Sequence, residues 1–529
     1  MLTLSYQHDH LCSDVIAHNA RVFAGSVAVI CEGERLTWRE LDERTNRVAN
    51  AIRSLGFGKG DKVALYMSNS IAMFELFWGI ARSGCVVVTL NTLLDGASLV
   101  RLADASDAQA IFADDATRAM VEVARAALGK IGPDRFFTTG AAAQGWSSAR
   151  ALVDAAAPDD PGVKIDPSDT MTVIYSSGTT GVPKGIEHSH FGRLNYPLGF
   201  GMGLRIDRYT VAVCSTPIYA SGTWITMFPT MYRGGTVVLV PKFSPEAFLE
   251  AVQRHRGTHC FLVPTQYIGL LQVQRERFDA GSLRVLVTAG QPMTPVTRAA
   301  LGERFPAAEL YEIYGMTEGF STLAIPEDLR RGKAGTVGKP AFLEDIRIID
   351  DGGRELPCGQ TGEIVGYGPG MMKGYYRRPD LTEAATWIGP GGRTYMRSGD
   401  LGRIDEDGFL YVSGRSKDMI KSGGMNIYAV DIEAVVMQHP AVREVAVVGI
   451  PHEKWSETPV AAVLLRQGQE HAVSADDLLA WVNQRLAKYQ RLSRLLIEPE
   501  LPRATYGKVM KAALREALAR RFSGTADRE

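Results

Sequence analysis

Two rhythms of apolar and polar residues alternate through the first two-thirds of the chain. From Thr37 to Leu55 the pattern is helical, with Thr37 at the N-cap and Glu40 three residues on, the signature of a capping box. Val63-Ala64-Leu65-Tyr66-Met67 follows with strand character, then Ile71 to Ser83 as an apolar helix, then Cys85 to Leu90 as a buried strand. Thr172–Ile174, Leu283–Val287 and Ile346–Ile349 are further predicted strands. The Ala-, Ser- and Asp-rich stretch from Ala141 to Asp160 reads as a surface excursion. Such alternation predicts α/β architecture, with sheets that are largely parallel and covered by helices.

Near residue 414 the pattern shifts. Gly414-Arg415-Ser416-Lys417 is short and polar. Beyond it come a helix (Val430–Gln438), two strands (Val445–Ile450, Val460–Leu465), a helix (Ala475–Leu486) and a last helix (Met510–Phe522). The expected organisation is a large N-terminal domain over 1–414, a hinge at 415–417, and a small α+β domain over 418–529. Domain-size scaling supports the division, since 529 residues exceed one ordinary compact core.

Composition narrows the classes without naming one. Hydrophobic residues make up 45% and charged residues 22%, as in ordinary globular proteins. A net charge of -1 gives no global field for nucleic acid. Cys12, Cys31, Cys85, Cys214, Cys260 and Cys358 are scattered without a C-x-x-C pair, which argues for reduced thiols and against a metal cluster. His8, Asp9 and His10 interrupt the N-terminal apolar run, so no signal peptide is expected, and no run approaches the ~20 residues that span a bilayer. The expectation is a cytoplasmic protein, with membrane contact at most peripheral.

Candidate chemistry begins at Tyr175-Ser176-Ser177-Gly178-Thr179-Thr180-Gly181-Val182-Pro183-Lys184-Gly185. Glycines let the backbone approach an anion, and hydroxyls with loop N–H groups can surround phosphate oxygens. The spacing is not that of a Walker A loop. Four more segments follow: Tyr314-Gly315-Met316-Thr317-Glu318, Ser398-Gly399-Asp400, Gly414-Arg415-Ser416-Lys417-Asp418, and Pro502-Arg503-Ala504-Thr505-Tyr506-Gly507-Lys508. In this order, over nearly the whole chain, they resemble the acyl-adenylate-forming superfamily of acyl-CoA synthetases, aryl-CoA ligases, luciferases and peptide-synthetase adenylation domains.

The resemblance implies an ATP-dependent enzyme. It activates a small-molecule carboxylate as acyl-AMP, with Mg²⁺ as cofactor, and passes the acyl group to CoA. It assigns Ser176, Ser177, Gly178, Thr179, Thr180 and Lys184 to the phosphates, and Ala289, Gly290, Gln291 and Tyr314 to adenine. Asp400 and Arg415 fall to the ribose, and Asn426 joins the nucleotide site. Thr317 would contact the α-phosphate region, and Glu318 would hold the metal, a hard cation suited to carboxylate. Lys508 would stabilise charge on the reacting oxygens. Lys417 is the implied hinge about which the small domain swings, withdrawing Lys508 and bringing Gly423 and Gly424 to the CoA tunnel. A homodimer is the expected assembly.

Two departures bear on the acid. The position where aryl and fatty-acyl relatives carry histidine falls on Ala220, in Pro217-Ile218-Tyr219-Ala220-Ser221-Gly222. Alanine cannot hold a substrate ammonium, which argues against amino-acid activation. His188 and His190 read as ordinary loop residues. Gly315 stands where acetate-specific relatives carry tryptophan. The acyl pocket, with Tyr219, Ala220, Ala289 and Gly315, is therefore expected to take an acid larger than propionate: medium-chain, branched, alicyclic or aryl. An adenylation enzyme loading a carrier protein and a non-catalytic binding homologue are the alternatives.

Overall fold

The structure is a computed structural model describing residues 10–176, 184–422, 425–469, 473–503 and 509–522, with Ser176, Ser416 and Asn426 described at the backbone alone. Its described residues fall into two compact units. One comprises 1–346 with 366–396, and the other 347–365 with 397–529.

The first unit is built on two large sheets. One has eight strands in the order Gly374–Tyr375, Lys184–Ser189, Thr170–Ser176, Val86–Thr89, Lys62–Tyr66, Ala108–Ala113, Phe136–Thr138 and Ser147–Ser148. Pairing is parallel from Thr170–Ser176 to the Ser147 edge and antiparallel at the other end. The other has nine strands and a parallel centre running Glu309–Gly315, Val285–Ala289, His259–Phe261, Val211–Cys214, Thr236–Leu239 and Val27–Cys31.

Helices Trp38–Ser54, Ile71–Arg82 and Ser221–Tyr232 contribute to a core shared by both sheets, where Trp38, Phe77, Trp78, Trp224 and Phe228 are fully buried. The Trp224 and Phe228 rings stack at 4.9 Å. Such aromatic pairs add roughly 0.5–1.5 kcal/mol to the burial of their area. The predicted cap at Thr37 forms as read: Thr37 Oγ1 accepts from the Glu40 N–H, and Glu40 accepts from the Thr37 N–H. The stretch from Ala141 to Asp160 is more structured than a surface excursion. It supplies the edge strand Ser147–Ser148 and the helix Ala149–Asp154, and Asn50 donates to the Ala157 and Asp159 carbonyls.

In the second unit, strands Met425–Ile427, Ile420–Ser422, Ser456–Leu465 and Val442–His452 pair antiparallel in that order, and Arg494–Ile497 adds parallel to Ser456–Leu465. Helices Ala429–Val436 and Ala475–Asn483 cover one face with Ile432, Val436, Leu478 and Val482. Leu514 and Leu518 of the last helix cover the other. The predicted helices and long strands appear with boundaries moved by a few residues. Ile420–Ser422 and Arg494–Ile497 are strands that the pattern alone did not show.

Candidate active site

Three of the predicted segments leave the carboxyl ends of parallel strands in the nine-stranded sheet. Pro217–Gly222 follows Val211–Cys214, Gly290 and Gln291 follow Val285–Ala289, and Met316–Glu318 follow Glu309–Gly315. Strand carboxyl ends are where open α/β sheets bind ligands. Ala289 pairs with Ile313 in register, so the turn at Gly290, whose φ of +87° suits glycine, comes off beside Tyr314 and Gly315.

The Pro217–Ser221 stretch is fixed from below. Buried Asn69 accepts from the Ile218 N–H at 2.8 Å and donates to the Thr216 and Val240 carbonyls at 2.9 and 3.2 Å. Thr89 donates to the Tyr219 carbonyl at 3.1 Å, and Trp224 Nε1 to that of Ile218 at 2.8 Å. Ala220 is the N-cap of the Ser221–Tyr232 helix and offers no side-chain acceptor. The first amide groups of that helix are thus left without the usual cap.

Beside that helix start, Ser221 Oγ and Thr317 Oγ1 lie 2.9 Å apart, and the Tyr196 hydroxyl donates to the Ser221 carbonyl at 3.3 Å. Glu318 accepts from the Tyr375 hydroxyl at 2.9 Å. Burial, reinforced by Glu318, pushes the Tyr375 phenol well above its ordinary range, so it stays a donor. Lys184 Nζ stands 5.2 Å from the centre of the Tyr375 ring. Tyr314 is half-buried with its ring edge-on to Phe320 at 6.4 Å. A Cβ on Gly315 would lie 2.8 Å from the Phe320 carbonyl oxygen and 3.0 Å from Ser321 Cβ, so strand pairing as well as pocket space favours glycine.

Within the second unit, Asp400 and Arg415 are direct cross-strand partners, with Arg415 Nε 3.2 Å from the buried carboxylate. Gly399 turns at φ +69°, and the Asp400 N–H donates to Ser398 Oγ at 3.0 Å. Lys417 is exposed in the short 3₁₀ turn Ser416–Asp418, and Asn426 pairs with Lys421 in a strand. Ser177, Gly178, Thr179, Thr180, Gly423, Gly424 and Lys508 lie outside the described residues.

Sequence reasoning missed Ser221, although it stands inside a quoted segment, and Tyr375, which stands in none of them. Its reading of the two histidines needs correction. His188 belongs to the Lys184–Ser189 strand and His190 opens the next helix, and both are buried, 0% and 1% exposed. Burial holds His190 down near 4, against the opposing pull of Asp169. Among the described residues no group of three or more His, Cys, Asp or Glu side chains could hold a metal by itself. A single carboxylate such as Glu318 fits Mg²⁺, which keeps waters and takes phosphate oxygens rather than an all-protein cage.

A fold of helix-covered parallel sheets, with a hydroxyl pair and a carboxylate at strand carboxyl ends, defines an α/β protein whose polar groups gather where such sheets bind ligands. Residues 16–376 match the family "AMP-binding enzyme", residues 431–508 match "AMP-binding enzyme C-terminal domain", and the chain belongs to this family. It is similar to the long-chain-fatty-acid–CoA ligase FadD13 of Mycobacterium tuberculosis, 31% identical over 91% of this chain and 93% of that one. Feruloyl-CoA synthase of Amycolatopsis sp is 32% identical over 94% of this chain and 96% of its own length. Among solved structures, ATP-bound MatB from Rhodopseudomonas palustris superposes with a TM-score of 0.84 at 28% identity, covering 96% of this chain and 99% of that one. The chain is thus an AMP-forming acid–thiol ligase of the acyl-CoA synthetase kind, served by ATP, Mg²⁺ and CoA.

Proposed function

We propose that this ligase makes a CoA thioester from an acid larger than propionate, such as a medium-chain, branched, alicyclic or aryl acid. The observation that carries the size claim is Gly315, an exposed glycine closing a parallel strand two residues before Ser221-paired Thr317. Relatives named for a long-chain fatty acid and for ferulate support an acid of that size.

In this reading carboxylate and ATP give acyl-AMP and pyrophosphate, and the thiol of CoA then displaces AMP. Thr317 orients the α-phosphate, Glu318 holds the metal that offsets triphosphate charge, and Asp400 with Arg415 holds the ribose. Lys508 stabilises the charge that builds on the reacting oxygens, a gain confined to the transition state. The described residues 418–422, 425–469, 473–503 and 509–522 belong to a small domain that turns about Lys417 between the two half-reactions. The enzyme acts in the cytoplasm, and among its described residues no helix is long and apolar enough to cross a membrane.

Gly315→Trp tests the pocket. The preferred acid should lose at least about tenfold in kcat/KM, the scale of roughly 1.4 kcal/mol, while acetate gains. A thermal melt controls for crowding against the Ser321 strand. Unchanged turnover of the preferred acid in a folded variant contradicts the assignment.

A further inference from the structure

One short segment grips both the Glu318 turn and the strand that leaves the Tyr175–Gly185 loop. Residues 371–376 contain the strand Gly374–Tyr375, in which Gly374 pairs antiparallel with Glu187 and Tyr375 with Ile186. The Lys373 and Tyr376 N–H groups donate to the Glu187 and Gly185 carbonyls, both at 2.7 Å. These partners directly follow Lys184. The same segment meets the turn after the Glu309–Gly315 strand. The Met372 N–H donates to the Glu318 carbonyl at 2.8 Å. Gly319, at φ +147°, admits Met371 so closely that a Cβ there would lie 2.4 Å from Met371 Cα.

The side chains repeat this bridge. Tyr375 is 6% exposed, and its hydroxyl donates to Glu318 Oε1 at 2.9 Å. Lys184 shares a strand face with Ile186, the partner of Tyr375, and its Nζ stands 5.2 Å from the Tyr375 ring centre. Among the described residues Tyr375 alone donates to the Glu318 carboxylate, and no Lys, Arg or His forms an ion pair with it. A phenol fixes one carboxylate oxygen and leaves the negative charge in place, whereas a paired Lys or Arg would offset it. Mg²⁺ takes one or two carboxylates and fills its other positions with water and phosphate oxygens, so one presented oxygen suits it.

Packing does not account for the hydroxyl, because phenylalanine would fill almost the same volume. The segment has other anchors as well. Lys373 Nζ donates to Thr170 Oγ1 at 3.0 Å, the Tyr376 hydroxyl donates to Asp107 at 2.8 Å, and Arg377 pairs with Asp107 at 2.9 Å.

We infer that Tyr375 is the positioning residue of the metal carboxylate. Its hydroxyl holds Glu318 Oε1 so that Oε2 meets the metal of the incoming nucleotide. The strand that carries it keeps this carboxylate in register with Lys184, so metal and phosphates are received together. The inference rests on the reading of Glu318 as the metal ligand.

Parent enzyme, Tyr375→Phe, Glu318→Gln and the double variant should be compared in Mn²⁺ binding, read by electron paramagnetic resonance with α,β-methylene-ATP present. The Mg²⁺ dependence of acid-dependent ATP–pyrophosphate exchange and thermal melting complete the comparison. Partners that orient a metal ligand are worth about 10–100-fold in metal affinity. Tyr375→Phe should weaken Mn²⁺ binding by that factor. It should raise the Mg²⁺ needed for half-maximal exchange similarly, with the rate recovering as Mg²⁺ is raised. Glu318→Gln should weaken the metal further, and adding Tyr375→Phe should cost nothing more, because the hydroxyl acts through the carboxylate. Glu318→Asp draws the carboxylate back by one methylene and leaves the phenol in place. It should repeat the Tyr375→Phe pattern, and it carries the test if the phenylalanine variant melts below the parent.

Parental Mn²⁺ affinity in folded Tyr375→Phe overturns the inference. So does an additive loss in the double variant, or an exchange defect that excess Mg²⁺ leaves unchanged. Parental Mn²⁺ affinity in Glu318→Gln removes Glu318 as the metal ligand and the inference with it. Absence of exchange in the parent with every acid instead sinks the ligase reading, while the Mn²⁺ comparison still decides the role of Tyr375.

Discussion

Glu344 is a buried carboxyl with one oxygen, Oε2, that meets no donor. It packs directly on Gly368, where a Cβ would collide with the carboxyl, and it acts on half-buried Tyr196. Burial pushes its pKa up to about 9 against an opposing hydrogen bond from the Ser321 backbone, so it is neutral at physiological pH. The sign for stability follows. Between the unfolded value of 4.5 and about 9 the folded state holds a proton that the unfolded state has lost. This group's contribution is full below the lower value and is lost as pH rises to the upper one, at up to about 1.4 kcal/mol per pH unit. Urea unfolding at several pH values in that window should show Glu344→Gln with a slope shallower by about one proton; parallel slopes would show that the carboxyl is hydrated. Neither Glu344 nor the Tyr375–Glu318 bond was legible in the sequence, because a polar residue in a polar string carries no sign of the far segments it meets. Asp400 and Arg415 were legible, since their motifs fix both residues and the hairpin register then sets them opposite each other.

At the scale of elements, Asn69 ties the ends of two sheets. It sits between the Lys62–Tyr66 strand and the Ile71–Arg82 helix, and its side chain bonds Thr216, Ile218 and Val240 past the ends of two strands of the other sheet. Asn69→Leu would strand three buried backbone groups, each worth about 1–3 kcal/mol when unsatisfied. Stability should fall by at least about 2 kcal/mol, and KM for the acid should rise because the Tyr219–Ser221 segment loosens. A stability loss with unchanged KM would place that segment outside the acyl pocket. Element identity was legible wherever periodicity ran long, as in the capped helix from Thr37 and the strands of the small unit. The three-residue strands Ile420–Ser422 and Met425–Ile427 were not, because a run that short has no period. Sheet order was hidden too: Val27–Cys31 lies beside Thr236–Leu239, a pairing that no local pattern encodes.

The whole molecule is a family member whose matched segments, 16–376 and 431–508, cover most of its length. Its two compact units do not follow the chain in one cut, since 347–365 groups with the C-terminal residues while 366–396 groups with the N-terminal ones. Two segments exchanged between units give local sequence no boundary to mark. Function was legible at this scale for a different reason. Adenylation needs a phosphate loop, a metal carboxylate, a ribose carboxylate and a cation, and each brings a short string of residues whose order survives wherever the chain runs. The acid brings none, being read by side chains scattered over strands and helices.

The central claim is that this chain joins an acid to CoA with release of AMP. The direct measurement is a single reaction containing ATP, Mg²⁺, CoA and each of a panel of carboxylates, with nucleotide and thioester quantified together. The account predicts AMP and CoA thioester in equal amounts for at least one acid larger than propionate. ADP in place of AMP, or AMP without thioester until a carrier protein replaces CoA, would contradict it.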